Sequence, residues 1–206
     1  MTDYHDYVIK DGKFIGKFEE MYVNCDNPWY QREEADISYS RSDTINTINR
    51  FKLKKVVEVG CGLGFFTKRL SLGCPDSKII GMDISETAIK KARERYPELS
   101  FEVGGVKELN SMDFFAESDA VLFAEILWYI LDDLDDILSM LKNEFNGLLI
   151  VNQVFYNGGQ KYGKEYFTNP EELIDYVKLP VLVKNVSIDS EHKSSYETHI
   201  VFDLRK

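Results

Sequence analysis

The stretch "VVEVGCGLGFFT", Val56 to Thr67, decides how this chain folds. An apolar run interrupted only by Glu58 meets three glycines spaced by one residue, Gly60, Gly62 and Gly64. Apolar residues then resume at a different period, with Phe66 and Leu70 four apart and Gly73 as a stop. This reads as strand, tight turn, helix. Glycines at such a turn admit positive φ and let the backbone approach a ligand closely. In an open parallel sheet, ligands bind beyond the carboxyl ends of the strands, and this turn stands at one. A dinucleotide fingerprint, G-x-G-x-x-G, needs its third glycine at position 65, which is Phe65, and the Lys-Ser/Thr pair of a phosphate-gripping P-loop is missing. Cys61, inside the loop, is read as a small filler.

The alternation continues outward from this turn. "KIIGMDI" (78–84), "LSFEV" (99–103), "DAVLFAE" (119–125) and "GLLIVNQVF" (147–155) are further strands, apolar almost throughout, as expected of a sheet covered on both faces. Ser85 caps a helix whose Ala88, Ile89, Ala92 and Tyr96 share a face. Past the fourth strand, Ile126, Ile130, Leu134 and Leu138 recur every four residues and predict a helix. Asn169 and Pro170 open another. Two strands, about 180–189 and 196–204, then follow with no helix between them, which permits only an antiparallel pair. The first 50 residues lack this alternation and are expected to form a helical appendage, a cap or lid on a core of residues 51–206, all one domain. The predicted class is α/β, a Rossmann-like mostly parallel sheet with helices on both faces.

A net charge of −10 over 206 residues argues against a nucleic-acid partner. "KLKK" (52–55) is read as a solvated strand entrance. Three cysteines without paired spacing fit reduced thiols in the cytoplasm. His5, His192 and His199 are far apart, no C-x-x-C occurs, and "DDLDD" (132–136) faces away from the apolar stripe, so no metal site is expected. The N-terminus has no secretory signal pattern, and no apolar run approaches the ~18 residues that mark a membrane helix.

G-x-G-x-G preceded by an acid, Glu58, with a second acid, Asp83, closing the next strand, resembles the class I S-adenosylmethionine-dependent methyltransferases. The resemblance covers about residues 50–204. It implies seven strands ordered 3-2-1-4-5-7-6 with the last reversed. It also implies S-adenosylmethionine as cofactor, S-adenosylhomocysteine as product, and cofactor contacts at Glu58, Gly60, Cys61, Gly62, Gly64 and Asp83. Asp83 would accept hydrogen bonds from both ribose hydroxyls, its other reading being a charge at a helix start. The family often carries an acid after the third strand, facing the adenine amino group. Here Gly105 stands in that place, so the Val106 backbone N–H and Ile84 are expected to hold the adenine instead.

"FAEILWYI" (123–130) resembles a signature of the nodulation-factor N-methyltransferase branch, and "DNPWYQREEA" (26–35) its Pro-Trp segment. This implies a polar small-molecule acceptor, such as a saccharide or nucleotide-linked precursor of a surface glycan, handled by a monomer or homodimer. Methyl transfer is an in-line displacement in which the protein mainly supplies alignment. Glu125 is the first candidate for a general base, or for gripping an amine, with a capping role as its other reading. Tyr129 and Trp128 are read as pocket wall or as core, and Ala124 is grouped with the cofactor contacts. Trp29, Tyr30 and Arg32 are read as a lid, with Arg32 pairing the cofactor carboxylate, or as a surface helix. The loop "FYNGGQKYGKEYF" (155–167) is a candidate specificity loop. His199 is read as a packed histidine. Two other functions stay open: an NAD-dependent oxidoreductase, and a non-catalytic S-adenosylmethionine-binding regulator.

Overall fold

The computed structural model describes residues 4–10, 13–31, 38–188 and 194–206. Its centre is a seven-stranded sheet of β1 (Lys55–Val59), β2 (Lys78–Asp83), β3 (Ser100–Val103), β4 (Ala120–Ala124), β5 (Leu148–Tyr156), β6 (Val181–Ser187) and β7 (Ser195–Asp203). The strands lie in the order 3-2-1-4-5-7-6. The first five are parallel, and β7 runs antiparallel to both β5 and β6. This is the strand order that the resemblance implied, with the antiparallel pair expected from the helix-free link near the C-terminus. The strand order reverses between β1 and β4, so the carboxyl edge there is the topological switch point where ligands settle.

Helices α1 (Phe18–Asn24), α2 (Tyr39–Phe51), α3 (Phe65–Gly73), α4 (Glu86–Arg95), α5 (Leu134–Glu144) and α6 (Pro170–Val177) surround the sheet. Successive strand residues point to opposite faces. Val57, Val121, Phe123, Leu149 and Val151 therefore join α5 and α6 in one core, while Val56, Leu122 and Ile150 meet Ile48, Phe66 and Leu70 of α2 and α3 in another. The caps form as their sequences dictate. The Ser85 hydroxyl accepts from the Ala88 N–H (3.1 Å), and the Asn169 side chain accepts from the Glu172 N–H (3.0 Å).

Two features differ from the sequence expectation. No continuous helix follows β4. Two short 3-10 turns, Leu127–Tyr129 and Leu131–Asp133, precede α5. Glu125 takes a left-handed backbone (φ 63°), which breaks entry into a helix, yet Leu127, Leu131 and Leu134 still reach the core at a spacing of three or four. The N-terminal segment also divides in two. Helix α2 is built onto the sheet, with Ile48 fully buried, and described residues of the stretches 4–10 and 13–31 pack together over the cleft edge.

Helix α2 meets β5 and β7 through a buried polar network. His199 is fully buried and bonded to Asn152 Oδ1 (2.8 Å) and Thr47 Oγ1 (2.7 Å), and burial lowers its pKa to about 4. It is a neutral, packed histidine away from the cleft.

Candidate active site

After β1, the chain turns back on itself through Gly60 (φ 75°). The N–H groups of Gly60 and Cys61 both donate to the Met82 carbonyl (2.7 and 3.0 Å), which ties the loop to the end of β2. A Cβ at Gly60 would overlap the Ile126 side chain, so only glycine lets the loop pass beneath the turn after β4. Asp83 closes β2 and is 6% exposed. Its Oδ2 accepts the Gly62 N–H (2.8 Å) and its Oδ1 the Ser85 N–H (2.9 Å). Burial raises its pKa to about 6, and those two bonds oppose the rise. Glu58 lies behind the loop and accepts from the Thr67 hydroxyl (2.6 Å). Burial raises its pKa to about 7, with the Thr67 bond and the Arg41 charge opposing.

A cleft of about 570 Å³ opens in front of this loop. One end is floored by Ile84, Gly104, Gly105 and Val106, and Ile84 is 62% exposed despite its aliphatic side chain. Gly60 and Asp83 stand in the middle, and Ala124, Glu125, Ile126 and Tyr129 form the other end. The N-terminal segment roofs the cleft with Phe14, Phe18, Tyr22, Trp29 and Gln31. The Tyr129 ring lies 5.6 Å from Phe18, 5.9 Å from Trp29 and 6.4 Å from Phe14, centroid to centroid. Burial holds the Tyr129 phenol far above its ordinary pKa, and the Glu125 charge adds to this. The roof is latched to the glycine loop, since the Leu63 N–H donates to Gln31 Oε1 (3.1 Å) and Gln31 Nε2 donates to the Tyr22 hydroxyl (3.3 Å). Glu125 donates its backbone N–H to the Asn152 carbonyl (2.8 Å), and its carboxylate lies 3.8 Å from Arg41. A non-glycine residue held at φ 63° is the sort of local strain found at functional sites.

Nine of the sequence candidates therefore line one cleft: Trp29, Gly60, Asp83, Ile84, Gly105, Val106, Ala124, Glu125 and Tyr129. Glu58, Cys61, Gly62 and Gly64 lie outside the lining and build the loop from behind; burial raises the Cys61 thiol pKa well above normal. Tyr30 does not meet the expectation. Trp29 and Tyr30 both have positive φ (55° and 50°), a turn that sends Trp29 into the cleft and leaves Tyr30 65% exposed. Arg32 lies outside the described residues. Trp128 faces the core, its ring 5.4 Å from Phe167 and 5.9 Å from Phe155. Phe14, Phe18, Gln31 and Arg41 are cleft residues that the sequence reading did not single out. An amphipathic reading of α2 from its Ser38 cap is the one signal that would have set Arg41 apart.

Residues 56–144 match a family model described as a methyltransferase domain. The chain is 33% identical over 72 residues to a trans-aconitate 2-methyltransferase of Afipia carboxidovorans, covering 35% of this chain and 28% of the relative. It is 40% identical over 107 residues to a malonyl-[acyl-carrier protein] O-methyltransferase of Legionella pneumophila, covering 48% and 34%. The matched regions thus span about a third of these relatives' length. Among solved structures, the N-methyltransferase NodS of Bradyrhizobium japonicum in complex with S-adenosyl-L-homocysteine superposes with a TM-score of 0.61. That match has 16% identity and covers 89% of this chain and 95% of NodS. The methyltransferase domain of a bacterial CtHen1 gives 0.63 at 16% identity, covering 86% and 99%. With the strand order, the glycine loop and the acid closing β2 on the page, these likenesses show a methyltransferase domain over residues 56–144, in a chain that has the fold of these solved methyltransferases.

Proposed function

We propose that this chain moves the methyl group of S-adenosylmethionine to a nitrogen or oxygen of a polar small molecule and releases S-adenosylhomocysteine. The observation that carries this reading is the pairing, in one cleft, of the Asp83 carboxylate with the exposed apolar face of Ile84. Each Asp83 oxygen accepts one backbone N–H and keeps a further lone pair, which suits the two hydroxyls of a ribose. Ile84 and the glycine pair Gly104–Gly105 offer a flat apolar floor for a purine, and Val106 a backbone N–H at its edge. Gly60 and Ala124 present backbone to the amino-acid end. The described residues thus fit the cofactor.

The cofactor supplies a methyl group already activated on a cationic sulfur, so the protein's task is alignment and charge placement. The rings of Tyr129, Trp29 and Phe18 present π-faces suited to a cation. Tyr129 stays a neutral phenol across the physiological range, so it serves as wall and hydrogen-bond donor, not as base. Glu125 is the carboxylate at that end of the cleft. It takes the proton that an amine or hydroxyl acceptor loses, or grips an acceptor that needs no base. The roof of residues 13–31 excludes water from the reacting atoms, and the domain acts as one unit with that roof as its lid.

The finer reading of the acceptor is a saccharide or nucleotide-linked precursor of a surface glycan, supported by the likeness of Phe123–Ile130 to the NodS-type signature. Incubation with methyl-labelled S-adenosylmethionine and a panel of amino sugars, sugar nucleotides and small carboxylic acids tests both levels. Label transferred to a sugar acceptor supports the finer reading, and label on a carboxylic acid replaces it. Binding of the cofactor with no transfer to any acceptor favours the regulatory role instead.

A further inference from the structure

We propose that Glu19 is the clasp of the roof, a positioning residue that ties α1 to the first turn of α4 behind Asp83 and so couples roof closure to cofactor binding. Ser85, the cap of α4, accepts the Ala88 N–H (3.1 Å) and gives its own hydroxyl proton to Glu19 Oε2 (2.5 Å). The Thr87 N–H, one of the donors that a helix start leaves unpaired, goes to the same oxygen (3.2 Å). The Thr87 hydroxyl donates to Glu19 Oε1. One carboxylate, 66 residues earlier in the chain than Ser85, thus takes three donors at the start of α4. The Ser85 and Thr87 bonds hold the Glu19 carboxyl below its ordinary pKa, so the clasp is charged at neutral pH. A further bond joins the same two helices, from Lys91 Nζ to the Tyr22 carbonyl (2.6 Å).

Ser85 also donates its N–H to Asp83 Oδ1 (2.9 Å), so Glu19 and Asp83 hold one residue between them. Phe18 and Tyr22 of α1 line the cleft, whereas Glu19, Ser85 and Thr87 stand outside its lining. Any effect of the clasp on a ligand is therefore transmitted through the roof and through Asp83. Burial raises the Asp83 pKa and the Glu19 charge adds to the rise, so the two carboxylates repel. Ribose hydroxyls donating to Asp83 would offset that repulsion. On the S-adenosyl reading of the cleft, on which this inference rests for its ligand, the bound cofactor steadies the clasp and the clasp steadies the bound cofactor by the same factor. A groove of about 560 Å³ runs along the outer side of the clasp, bordered by Glu19, Thr87 and Lys90, and gives water a route to compete for these bonds.

Hydrogen exchange of α1 reads roof opening with no ligand present. In Glu19→Ala it should be at least about 10-fold faster, while exchange of β4 stays at the wild-type rate, which marks a local opening and not general unfolding. Thr87→Val changes α4 alone, so faster exchange of α1 in that variant must cross the clasp. In the Glu19→Ala background Thr87→Val should add nothing, because the bond is already gone. Glu19→Gln, which keeps an acceptor oxygen, should fall between. Titration calorimetry with S-adenosylhomocysteine reads the coupling. Affinity falls with the fraction of molecules whose roof is closed, and is expected to drop about 10-fold in Glu19→Ala. Saturating S-adenosylhomocysteine should slow α1 exchange in the variant again. Unchanged α1 exchange in Glu19→Ala, independent effects of Glu19→Ala and Thr87→Val, or an unchanged S-adenosylhomocysteine affinity overturns the proposal. Should wild type bind no S-adenosylhomocysteine, the methyl-transfer reading fails, and the exchange of α1 in the two variants still decides whether Glu19 holds the roof.

Discussion

Gly62→Ala tests how the glycine loop carries the roof. Gly62 has φ 53°, and an added Cβ would overlap the Gln31 amide and fall 2.5 Å from the Tyr22 hydroxyl. An alanine in the left-handed region costs about 1 kcal/mol. Displacing Gln31 removes its bonds to the Leu63 N–H and the Tyr22 hydroxyl, at about 1 kcal/mol each. The expected total is about 3 kcal/mol, which for a chain of this size lowers Tm by roughly 6–12 °C. Gln31→Ala alone should cost about 2 kcal/mol through the same two bonds. In the double variant the bonds are already gone, so it should lose about 3 kcal/mol and not 5, a coupling near 2 kcal/mol. Denaturant unfolding of the four proteins measures that coupling. Single effects that add to within about 0.5 kcal/mol would refute the latch between loop and roof.

Glu125→Gln should keep its Tm and its cofactor affinity, with turnover falling on the order of 100-fold if Glu125 takes the acceptor's proton; steady-state kinetics with full retained activity would remove it from the reaction. Glu58 gives a pH signature. Its folded pKa of about 7 lies above the ordinary 4.5, so its contribution to stability is full below about pH 4.5 and is lost as the pH rises through 7. The stability of wild type relative to Glu58→Gln should therefore fall by up to about 3 kcal/mol across that window; a flat difference would mean that Glu58 stays charged in the fold. S-adenosylhomocysteine should slow proteolysis of residues 13–31, and equal cleavage with and without it would argue against a lid.

Strands β1, β2, β4 and β5 were legible because they are buried on both faces and read as apolar runs. Asp83 was legible because it closes such a run. The turn after β4 was not. Its apolar spacing is that of a helix, and only the left-handed backbone at Glu125, which nothing local announces, sends the chain into 3-10 turns. Trp29 and Tyr30 are neighbours of similar chemistry, and which one enters the cleft is set by two positive φ angles. Phe14 and Phe18 reach the site only through tertiary packing of a segment far from the glycine loop in sequence, so no spacing rule marks them. Arg32, read as the cofactor's cation, falls outside the described residues.

The central claim is that the cleft between the glycine loop and Asp83 takes an S-adenosyl nucleoside. Titration calorimetry of S-adenosylhomocysteine and of NAD into wild type and Asp83→Ala tests it most directly. The account predicts binding of S-adenosylhomocysteine and none of NAD, with the alanine variant folded and its affinity reduced by about 2–3 kcal/mol, the worth of hydrogen bonds to a charged acceptor. Tight NAD binding with no response to S-adenosylhomocysteine, or an unchanged dissociation constant in Asp83→Ala, would contradict it.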